Sequence, residues 1–378
     1  MRRVRLRGAG LVSSYGAGLA RAMPALAAAR SGATPLTRFT LPFADHIAVN
    51  EIDAAAFPHT EAGVEALLLT AIHEALQRAG TGMDAQWRAD CALLLGSSGF
   101  LFIAEAARRD QTPAARLGAS GDVAARLGRR LGLGGPALTL STACSSSANA
   151  LLVGADMIRR GDISRCLVVG VEGLSAIVLH GFYSLMLLDA RGSRPFDAER
   201  NGMQLGEAAA AVLLEAETSD TAPGAYLSGG ANLCDARSMT GFAPDAHAMR
   251  AAMAQALDHA AVAPDRIAGI KAHGAGSRDS DAAEATALCE LFGPALPPVT
   301  SLKRYFGHTL GASGAVETAA WLACLEAGFL PPAAGFERHD TALGVEPLRR
   351  RTPAHGGDYL LNFFGFGASY VSLVIHYA

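Results

Sequence analysis

Apolar residues recur along this chain with two different periods. Residues 64–79 and 145–160 carry apolar side chains three and four positions apart, and Gly161 follows the second segment as a stop signal, so both segments predict helices. Uninterrupted apolar runs at 91–95 and 267–272 predict buried strands. Helices that alternate with such runs are typical of an α/β protein with βαβ connections and mainly parallel strands.

The order of the predicted elements occurs twice. The corresponding segments are 64–79 with 246–261, 91–95 with 267–272, 145–160 with 314–327, and the closing strands 208–214 with 368–375. A polar stretch with Pro and Gly, residues 217–224, lies between the two series. This layout predicts an internal duplication with halves at 1–217 and 218–378, although helix–strand alternation alone is expected of any α/β protein.

Composition excludes several classes of protein. Of 378 residues, 50% are hydrophobic and 18% are charged, which excludes a disordered chain. The net charge of −3 argues against nucleic acid or an anionic membrane as the main partner. Because about 18 uncharged apolar residues never occur in a row, we expect no membrane span, and residues 1–29 are interpreted as strand, turn and helix.

Cysteine and lysine usage narrows the chemistry further. The six cysteines lie far apart without a CxxC pair or a metal-type spacing, so we expect a reducing, cytoplasmic setting and no metal. The chain has only two lysines, Lys271 and Lys303, so each is conspicuous.

Residues 138–150, LTLSTACSSSANA, predict a strand, a turn of small residues and a helix that starts just after Cys144. Free N–H groups at a helix start favour a thiolate, and such cysteines have pKa values of roughly 3.5–7.5. Most lone cysteines in apolar segments are inert core residues, and we interpret Cys91, Cys166, Cys289 and Cys324 in this way. Cys144 differs because three serines follow it at a helix start.

Three further segments contain candidate chemistry. His273 ends an apolar strand in IKAHGAGSRDSDAAE, and His308 precedes a helix in SLKRYFGHTLGASG. The predicted duplication puts the His308 turn opposite the Cys144 turn, across one pocket. A lone histidine at a strand end is more often structural, and Lys303 alone is more often a solvated charge. Residues 362–369, NFFGFGAS, are interpreted as core packing or as a flexible flap around Phe366.

Together these segments resemble the β-ketoacyl-acyl-carrier-protein synthases of the thiolase superfamily, including the polyketide ketosynthases. The likeness spans nearly the whole chain, and includes TACSSS at 142–147 and RPFDAERNG at 194–202. The eleven residues from His273 to Glu284 and the five from Lys303 to His308 match that family's spacing. The resemblance implies an α/β, thiolase-like five-layer α-β-α-β-α fold built from two pseudo-duplicated halves.

The resemblance also implies residue roles. Cys144 is expected to be the acyl-accepting nucleophile of the N-terminal half, and His273 and His308 of the C-terminal half are expected to decarboxylate a malonyl extender. Lys303 and Glu284 are expected to form an ion pair that orients the second histidine.

The closing segment has an expected role as well. Phe366 is expected to gate the acyl pocket, and the N–H groups of Cys144 and Phe366 to form the oxyanion hole. The expected substrate-binding positions are Ala275, Ser277, Phe364, Gly365 and Gly367.

Several positions depart from the family pattern. Ala275 and Ser277 stand where the family has two threonines that hold the pantetheine arm, so one hydroxyl is lost. Residues 181–189, GFYSLMLLD, lack a basic residue that some relatives use against an acidic carrier, and Leu185, Met186 and Leu187 suggest a subunit contact or a lipophilic patch.

The implied activity is decarboxylative condensation of a Cys144-bound acyl chain with malonyl on acyl carrier protein, in fatty-acid, polyketide or polyene pigment biosynthesis. No cofactor is needed. The expected partners are the carrier protein and a second ketosynthase-like chain, in a homodimer or heterodimer. Two alternatives stay open: a non-catalytic partner subunit resembling a chain-length factor, and an acyltransferase or thioesterase that uses Cys144 without condensing.

Overall fold

The computed structural model describes residues 2–38, 40–41, 47–58, 60–99, 115–217, 222–237, 241–243 and 245–378. The strands of the main sheet are β1 (Arg3–Ser13), β2 (Cys91–Gly96), β3 (Ala137–Leu140), β4 (Arg165–Glu172), β5 (Ala208–Glu217), β6 (Ala225–Cys234), β7 (Ile267–Lys271), β8 (Val299–Thr300), β9 (Gly357–Gly365) and β10 (Ser369–Tyr377). The helices are α1 (Leu19–Ala27), α2 (Glu61–Ala79), α3 (Ala85–Ala89), α4 (Ala115–Leu131), α5 (Ser146–Arg160), α6 (Ala176–Ser184), α7 (His247–Ala260), α8 (Arg278–Phe292), α9 (Lys303–Phe306) and α10 (Ser313–Glu326). Two-residue strands lie at Gly16–Ala17, Thr34–Pro35, Ala48–Val49, Phe329–Leu330 and Thr352–Pro353.

The helices begin and end where local signals indicate. The Thr60 side chain accepts the N–H of Gly63 and caps α2, which ends at Gly80 in the left-handed conformation. α5 likewise ends at Gly161, with φ 85°. The predicted helices and strands form within three residues of the expected bounds, and the N-terminus folds as the predicted strand, turn and helix.

The strand order is the same in the two parts of the sheet. The main sheet runs β8–β7–β9–β10–β6–β1–β5–β4–β2–β3, so the order β8–β7–β9–β10–β6 repeats β3–β2–β4–β5–β1. β1 and β6 join the two series through the pairs Arg5–Tyr226 and Leu6–Ala225. The order supports the two halves, and we propose their boundary at residue 217, where β5 ends and the polar stretch 217–224 begins.

The prediction of mainly parallel strands is wrong. β2 is parallel to β3 and β4, and β7 to β8 and β9, but β5, β1, β6 and β10 all pair antiparallel. The three-residue turn Phe366–Ala368 joins β9 to β10, and such a short connection joins only antiparallel strands.

Three apolar clusters produce the predicted five layers. One cluster packs α2 and α4 on the first half of the sheet, through residues such as Leu68 and Leu127. A second packs α7 and α8 on the other half, through Met253 and Leu288. The third, which contains the buried Trp321, encloses α5 and α10 between the two half-sheets. Layers therefore alternate α-β-α-β-α, as expected.

The two central helices approach each other closely where their residues are small. A Cβ atom added to Gly314 at the start of α10 would lie 2.1 Å from the backbone nitrogen of Ala148 in α5. A Cβ on Gly96 would lie 2.3 Å from the Cα of Ser147. Small residues thus bring the starts of α5 and α10 together, where the candidate chemistry lies. In the part of the chain that the structure describes, no helix is long and apolar enough to cross a membrane.

Candidate active site

Cys144 lies in a tight turn between β3 and α5. Ala143 has φ 51°, and residues Ala143–Ser145 form one 3₁₀ turn before the helix begins at Ser146. Hydroxyl groups fix the turn, because Ser146 donates to the carbonyl of Ala143 and Ser145 donates to the Ser369 hydroxyl, 2.8 Å away. Cys144 is buried, with 7% of its surface exposed.

The thiol of Cys144 differs from the sequence-based expectation of a thiolate. Burial raises its pKa to about 11 and outweighs the lowering effects of the Phe366 N–H and of the Lys303 charge. The nearby Glu172 carboxylate raises the pKa further. The resting cysteine is therefore a thiol at neutral pH. This difference arises because burial depends on the whole packed structure and not on the helix start alone.

His273 follows β7 and is held by its backbone and by one ring nitrogen. The N–H groups of His273 and Gly274 both donate to the Glu284 carboxylate at 2.8 Å. The Phe364 N–H donates to Nδ1 of the ring at 3.3 Å, so the neutral imidazole carries its proton on Nε2. The site therefore presents an N–H donor at Nε2.

His308 lies beside the turn Leu310–Ala312, which corresponds to the Cys144 turn in the repeated fold. Its Nδ1 lies 3.2 Å from the Ser313 hydroxyl. The rings of His273 and His308 meet edge to face, with centroids 5.4 Å apart. Burial, together with the positive charges of Lys303 and Lys271, lowers the pKa of both imidazoles well below the usual range, so both are neutral.

A cavity of about 300 Å³ joins these groups. The predicted residues that line it are Cys144, Phe366, His273, His308, Ala275, Ser277, Phe364 and Gly365. Leu185, Met186 and Leu187 also line the cavity, and Met186 is 87% exposed. Of the other predicted positions, Gly367 follows Phe366 in the turn, and Lys303 and Glu284 are buried outside the lining.

The predicted ion pair between Lys303 and Glu284 is wrong. The Lys303 ammonium pairs with Glu317 in α10, and Lys271 pairs with the other oxygen of the same carboxylate at 2.6 Å. Glu284 accepts backbone N–H groups and the Asn362 amide instead, at 3.0 Å for the amide. His308 is oriented by Ser313 and not by a Lys–Glu pair.

Sequence reasoning therefore missed Lys271, Glu317 and Asn362 as members of this network. The rarity of lysine was the one signal that pointed to Lys271. Nothing in the local spacing distinguished Glu317 from other acidic residues such as Glu284, because only the packing of the helices selects the partner of Lys303.

The RPFDAERNG segment supports the loop that follows His273. The buried Asp281 carboxylate accepts the N–H groups of Phe196 and Gly276 at 2.8 and 3.0 Å. The Ser193 hydroxyl donates to the carbonyl of Ala275 at 2.8 Å. The left-handed Gly276 leaves no room for a side chain, since a Cβ would lie 2.4 Å from the Ser193 hydroxyl. Among the described residues, no group of three His, Cys, Asp or Glu side chains could hold a metal ion.

The repeated strand order, the five layers and the cavity with one cysteine and two histidines define a thiolase-like ketosynthase fold. Family models described as the N-terminal and C-terminal domains of β-ketoacyl synthase match residues 49–220 and 225–337. The chain belongs to the β-ketoacyl synthase family.

Individual relatives agree. A putative polyketide β-ketoacyl synthase 1 of Streptomyces cyaneus is 32% identical over 259 residues, 65% of this chain and 61% of that protein. The tetracenomycin polyketide synthase ketoacyl synthase alpha subunit of Streptomyces glaucescens is 35% identical over 223 residues, 55% of this chain and 52% of that protein. The matches thus cover less than two thirds of these relatives.

Solved structures match over the full length. The ishigamide ketosynthase/chain length factor is 25% identical, with a TM-score of 0.88, and the match covers 100% of this chain and 99% of that one. A β-ketoacyl synthase from Burkholderia phymatum is 26% identical, with a TM-score of 0.87 and full coverage of both chains.

Proposed function

We propose that this chain is a β-ketoacyl-acyl-carrier-protein synthase that condenses a Cys144-bound acyl group with a malonyl group, with loss of carbon dioxide. The observation that carries the proposal is the single cavity lined by Cys144, His273 and His308. The N-terminal half supplies the nucleophile and the C-terminal half supplies both imidazoles. A thiolase would use a second cysteine as base, whereas this cavity has a second histidine.

The first step transfers an acyl group to Cys144. Its sulfur attacks the carbonyl carbon of an acyl thioester, the bond from that carbon to the carrier sulfur breaks, and the Cys144 proton passes to the departing carrier thiol. Because the resting thiol has a pKa of about 11, proton removal must accompany the attack. The N–H groups of Phe366 and Cys144, which face the sulfur, are placed to bind the oxyanion.

The second step uses the two imidazoles. A malonyl thioester loses carbon dioxide, and the electron pair of the broken bond forms an enolate whose oxygen needs hydrogen-bond donors. Neutral His273 presents Nε2–H, and the neutral ring of His308 lies 5.4 Å from it, centroid to centroid. The enolate carbon then attacks the Cys144 thioester, a carbon–carbon bond forms, and the cysteine sulfur leaves the 3-oxoacyl product.

The remaining lining residues bind the arm that delivers the thioester. Ser277 is the N-cap residue of α8, but its hydroxyl does not cap that helix, so within the described structure it is left for a substrate. Ala275 offers no hydroxyl at the neighbouring position. Phe364 and Gly365 form the wall beside His273, and Phe366 and Gly367 form the turn that gates the acyl pocket.

The partners follow from the chemistry and from the relatives. Both substrates are thioesters, and we propose that acyl carrier protein delivers them. One structural neighbour is a ketosynthase in complex with its chain length factor, and another is an acyl-carrier protein in complex with its ketosynthase. We propose that this chain also functions as a dimer, either with a copy of itself or with a related ketosynthase-like chain.

The test is incubation of the purified chain with acyl-carrier and malonyl-carrier proteins. We expect an acyl adduct on the peptide that contains Cys144, release of carbon dioxide, and a product two carbons longer. The Cys144→Ala variant is the matched control and should give neither adduct nor product. Acyl transfer or hydrolysis without elongation would contradict the proposal and identify an acyltransferase or thioesterase.

The alternative function is a non-catalytic partner subunit that resembles a chain-length factor. The lost hydroxyl at Ala275 and the apolar residues at 185–187 favour it. In that case Cys144→Ala would leave product formation unchanged when the chain is paired with an active ketosynthase. A loss of product in the paired complex would exclude this alternative.

A further inference from the structure

The chain's only two lysines bind the same carboxylate. Lys271 at the end of β7 lies 2.6 Å from one oxygen of Glu317, and Lys303 in α9 pairs with the other oxygen. Thirty of the 32 basic residues are arginines, so lysine is otherwise unused in this chain. Both lysines have no exposed surface and Glu317 is 1% exposed. The two ammonium groups and the one carboxylate have a formal net charge of +1, although burial lowers the pKa of Lys271 to about 8.

Lys271 is held tightly at this position. Its ammonium also donates to the carbonyl of Asn362 and lies 3.6 Å from the centre of the Phe363 ring. The next residue of that strand, Phe364, donates its N–H to the His273 ring. Lys271 and His273 are two residues apart in the chain, and the β9 residues that they contact, Asn362 and Phe364, are also two residues apart.

An excess buried charge needs an explanation. One lysine would neutralise Glu317, and a second buried ammonium costs folding free energy, so its presence points to a role other than stability. Such unbalanced charges are concentrated at functional sites. The charge of the two lysines acts on both imidazoles: burial lowers the pKa of the rings most, the charge of Lys303 lowers it further, and the charge of Lys271 adds to this effect.

We propose that Lys271 is a positioning residue that provides the net positive charge behind His273 and His308 and so keeps both imidazoles neutral. The proposal rests on the proposed function, in which neutral rings donate Nε2–H to the enolate. A protonated ring would attract the malonyl carboxylate by its positive charge. It would thereby stabilise the group that must leave as carbon dioxide and would oppose decarboxylation.

Other charged groups around the rings do not replace Lys271. Lys303 has the same sign, and the two lysines share the single charge of Glu317. Glu284 lies against the backbone of His273, and burial raises its pKa. Glu172 in β4 accepts the Gly311 N–H at 3.1 Å, and burial raises its pKa to about 7. Cys144 is uncharged at neutral pH. Lys271 and Lys303 together therefore exceed the charge of the one carboxylate they share, and the loss of Lys271 would remove that excess.

The test follows the ring charges directly, by ¹⁵N-histidine NMR of the full chain from pH 8 down to acid unfolding. The His273→Gln and His308→Gln variants assign the signals. In Lys271→Met the group becomes neutral, and we expect at least one ring to become protonated at a pH roughly one unit higher than in the unmodified chain. Lys271→Gln removes the same charge but keeps a polar side chain, and we expect the same shift in ring protonation. The test therefore remains possible if one of the two variants misfolds.

Charge is separated from packing by a compensated variant. Lys271→Met/Glu317→Gln leaves Lys303 as the one net positive charge, so the rings should return to the behaviour of the unmodified chain. Arg250→Met is the control for a lost surface cation, since Arg250 pairs with Glu290 at an exposed position, and it should change nothing.

Two results would overturn the proposal. One is a pair of rings that stays neutral in both Lys271 variants down to the same pH as in the unmodified chain. The other is a shifted titration that the compensated variant fails to reverse. Because NMR needs no substrate, a chain that lacks condensing activity would contradict the proposed function and leave this test intact. In an active chain, the acidic limb of the malonyl decarboxylation profile should move to higher pH with the rings.

Discussion

The ring of Phe182 in α6 is stacked on the ring of Phe366, with centroids 5.6 Å apart and planes inclined by 23°. Both rings line the cavity that contains Cys144. Such aromatic pairs contribute about 0.5–1.5 kcal/mol beyond their buried area, so the stack holds the proposed gate in one position.

Removal of the stacking partner should loosen the gate. In Phe182→Ala, we expect malonyl decarboxylation to continue while less of it leads to elongated product. The measurement is the ratio of carbon dioxide to 3-oxoacyl product. Ile177→Ala is the matched control because Ile177 lies in the same helix and is 55% exposed. An unchanged ratio in Phe182→Ala would show that the stack does not control the gate.

The two imidazoles should affect the second chemical step and not the first. His273→Ala and His308→Ala should each lower the rate of malonyl decarboxylation by about 10²–10³-fold, the usual effect of losing one oxyanion donor. Both variants should still form the acyl adduct on Cys144, as measured by peptide mass. If acyl transfer fell as far as decarboxylation, the assignment of the histidines to the second step would be wrong.

Position 275 should control the affinity for the pantetheine arm. Ala275→Ser adds one hydroxyl to the cavity, and we expect the KM for malonyl-carrier protein to fall by about 2- to 10-fold, the value of one hydrogen bond. Ser277→Ala should raise the KM by a similar factor. A change in kcat without a change in KM would argue against a binding role for these two positions.

The reactivity of Cys144 should rise steeply with pH. Burial raises its thiol pKa to about 11, so the thiolate fraction in the free protein grows about tenfold per pH unit below that value. The rate of iodoacetamide labelling at the Cys144 peptide, measured by mass spectrometry from pH 7 to 10, should follow that slope. A rate that levels off near pH 8 would show a thiolate stabilised as the helix start alone predicts.

The close contact of the central helices should be sensitive to one methyl group. In Gly314→Ala the new Cβ would meet the backbone of Ala148, so we expect the free energy of unfolding to fall by about 1–3 kcal/mol. Gly181→Ala is the control, since a Cβ there meets no atom within 4 Å. Thermal melts should therefore show a lower melting temperature for Gly314→Ala than for Gly181→Ala. Equal melting temperatures would contradict the packing argument.

Much of the fold could be predicted because the decisive signals are local. The helix at 145–160 has a continuous apolar stripe and a glycine stop, and each can be read within one segment. The direction of the last strand could not be predicted in the same way. It depends on the turn Phe366–Ala368, whose Gly367 has φ 74°, and the apolar pattern contains no information on strand direction.

Within the site, too, local signals predicted some residues, whereas others depend on three-dimensional packing. Cys144, His273 and His308 each stand at a strand end or a helix start, so sequence position indicated them and the fold brings them together. The partner of Lys303 could not be predicted, because Glu284 and Glu317 are both acidic residues on nearby helices and only three-dimensional packing selects Glu317. The thiol pKa of Cys144 is a property of total burial, which no short motif encodes.

The paired starts of α5 and α10 also limit how such a protein can change during evolution. The nucleophile and one imidazole stand on equivalent turns of the two halves, and Gly314 of one half touches Ala148 of the other. A recombinant that takes its two halves from distant relatives would need matched glycines and alanines along this contact before its active site could assemble. We therefore expect the halves to be inherited together, and chimaeras joined near residue 217 to fold only when both parents share this small-residue contact.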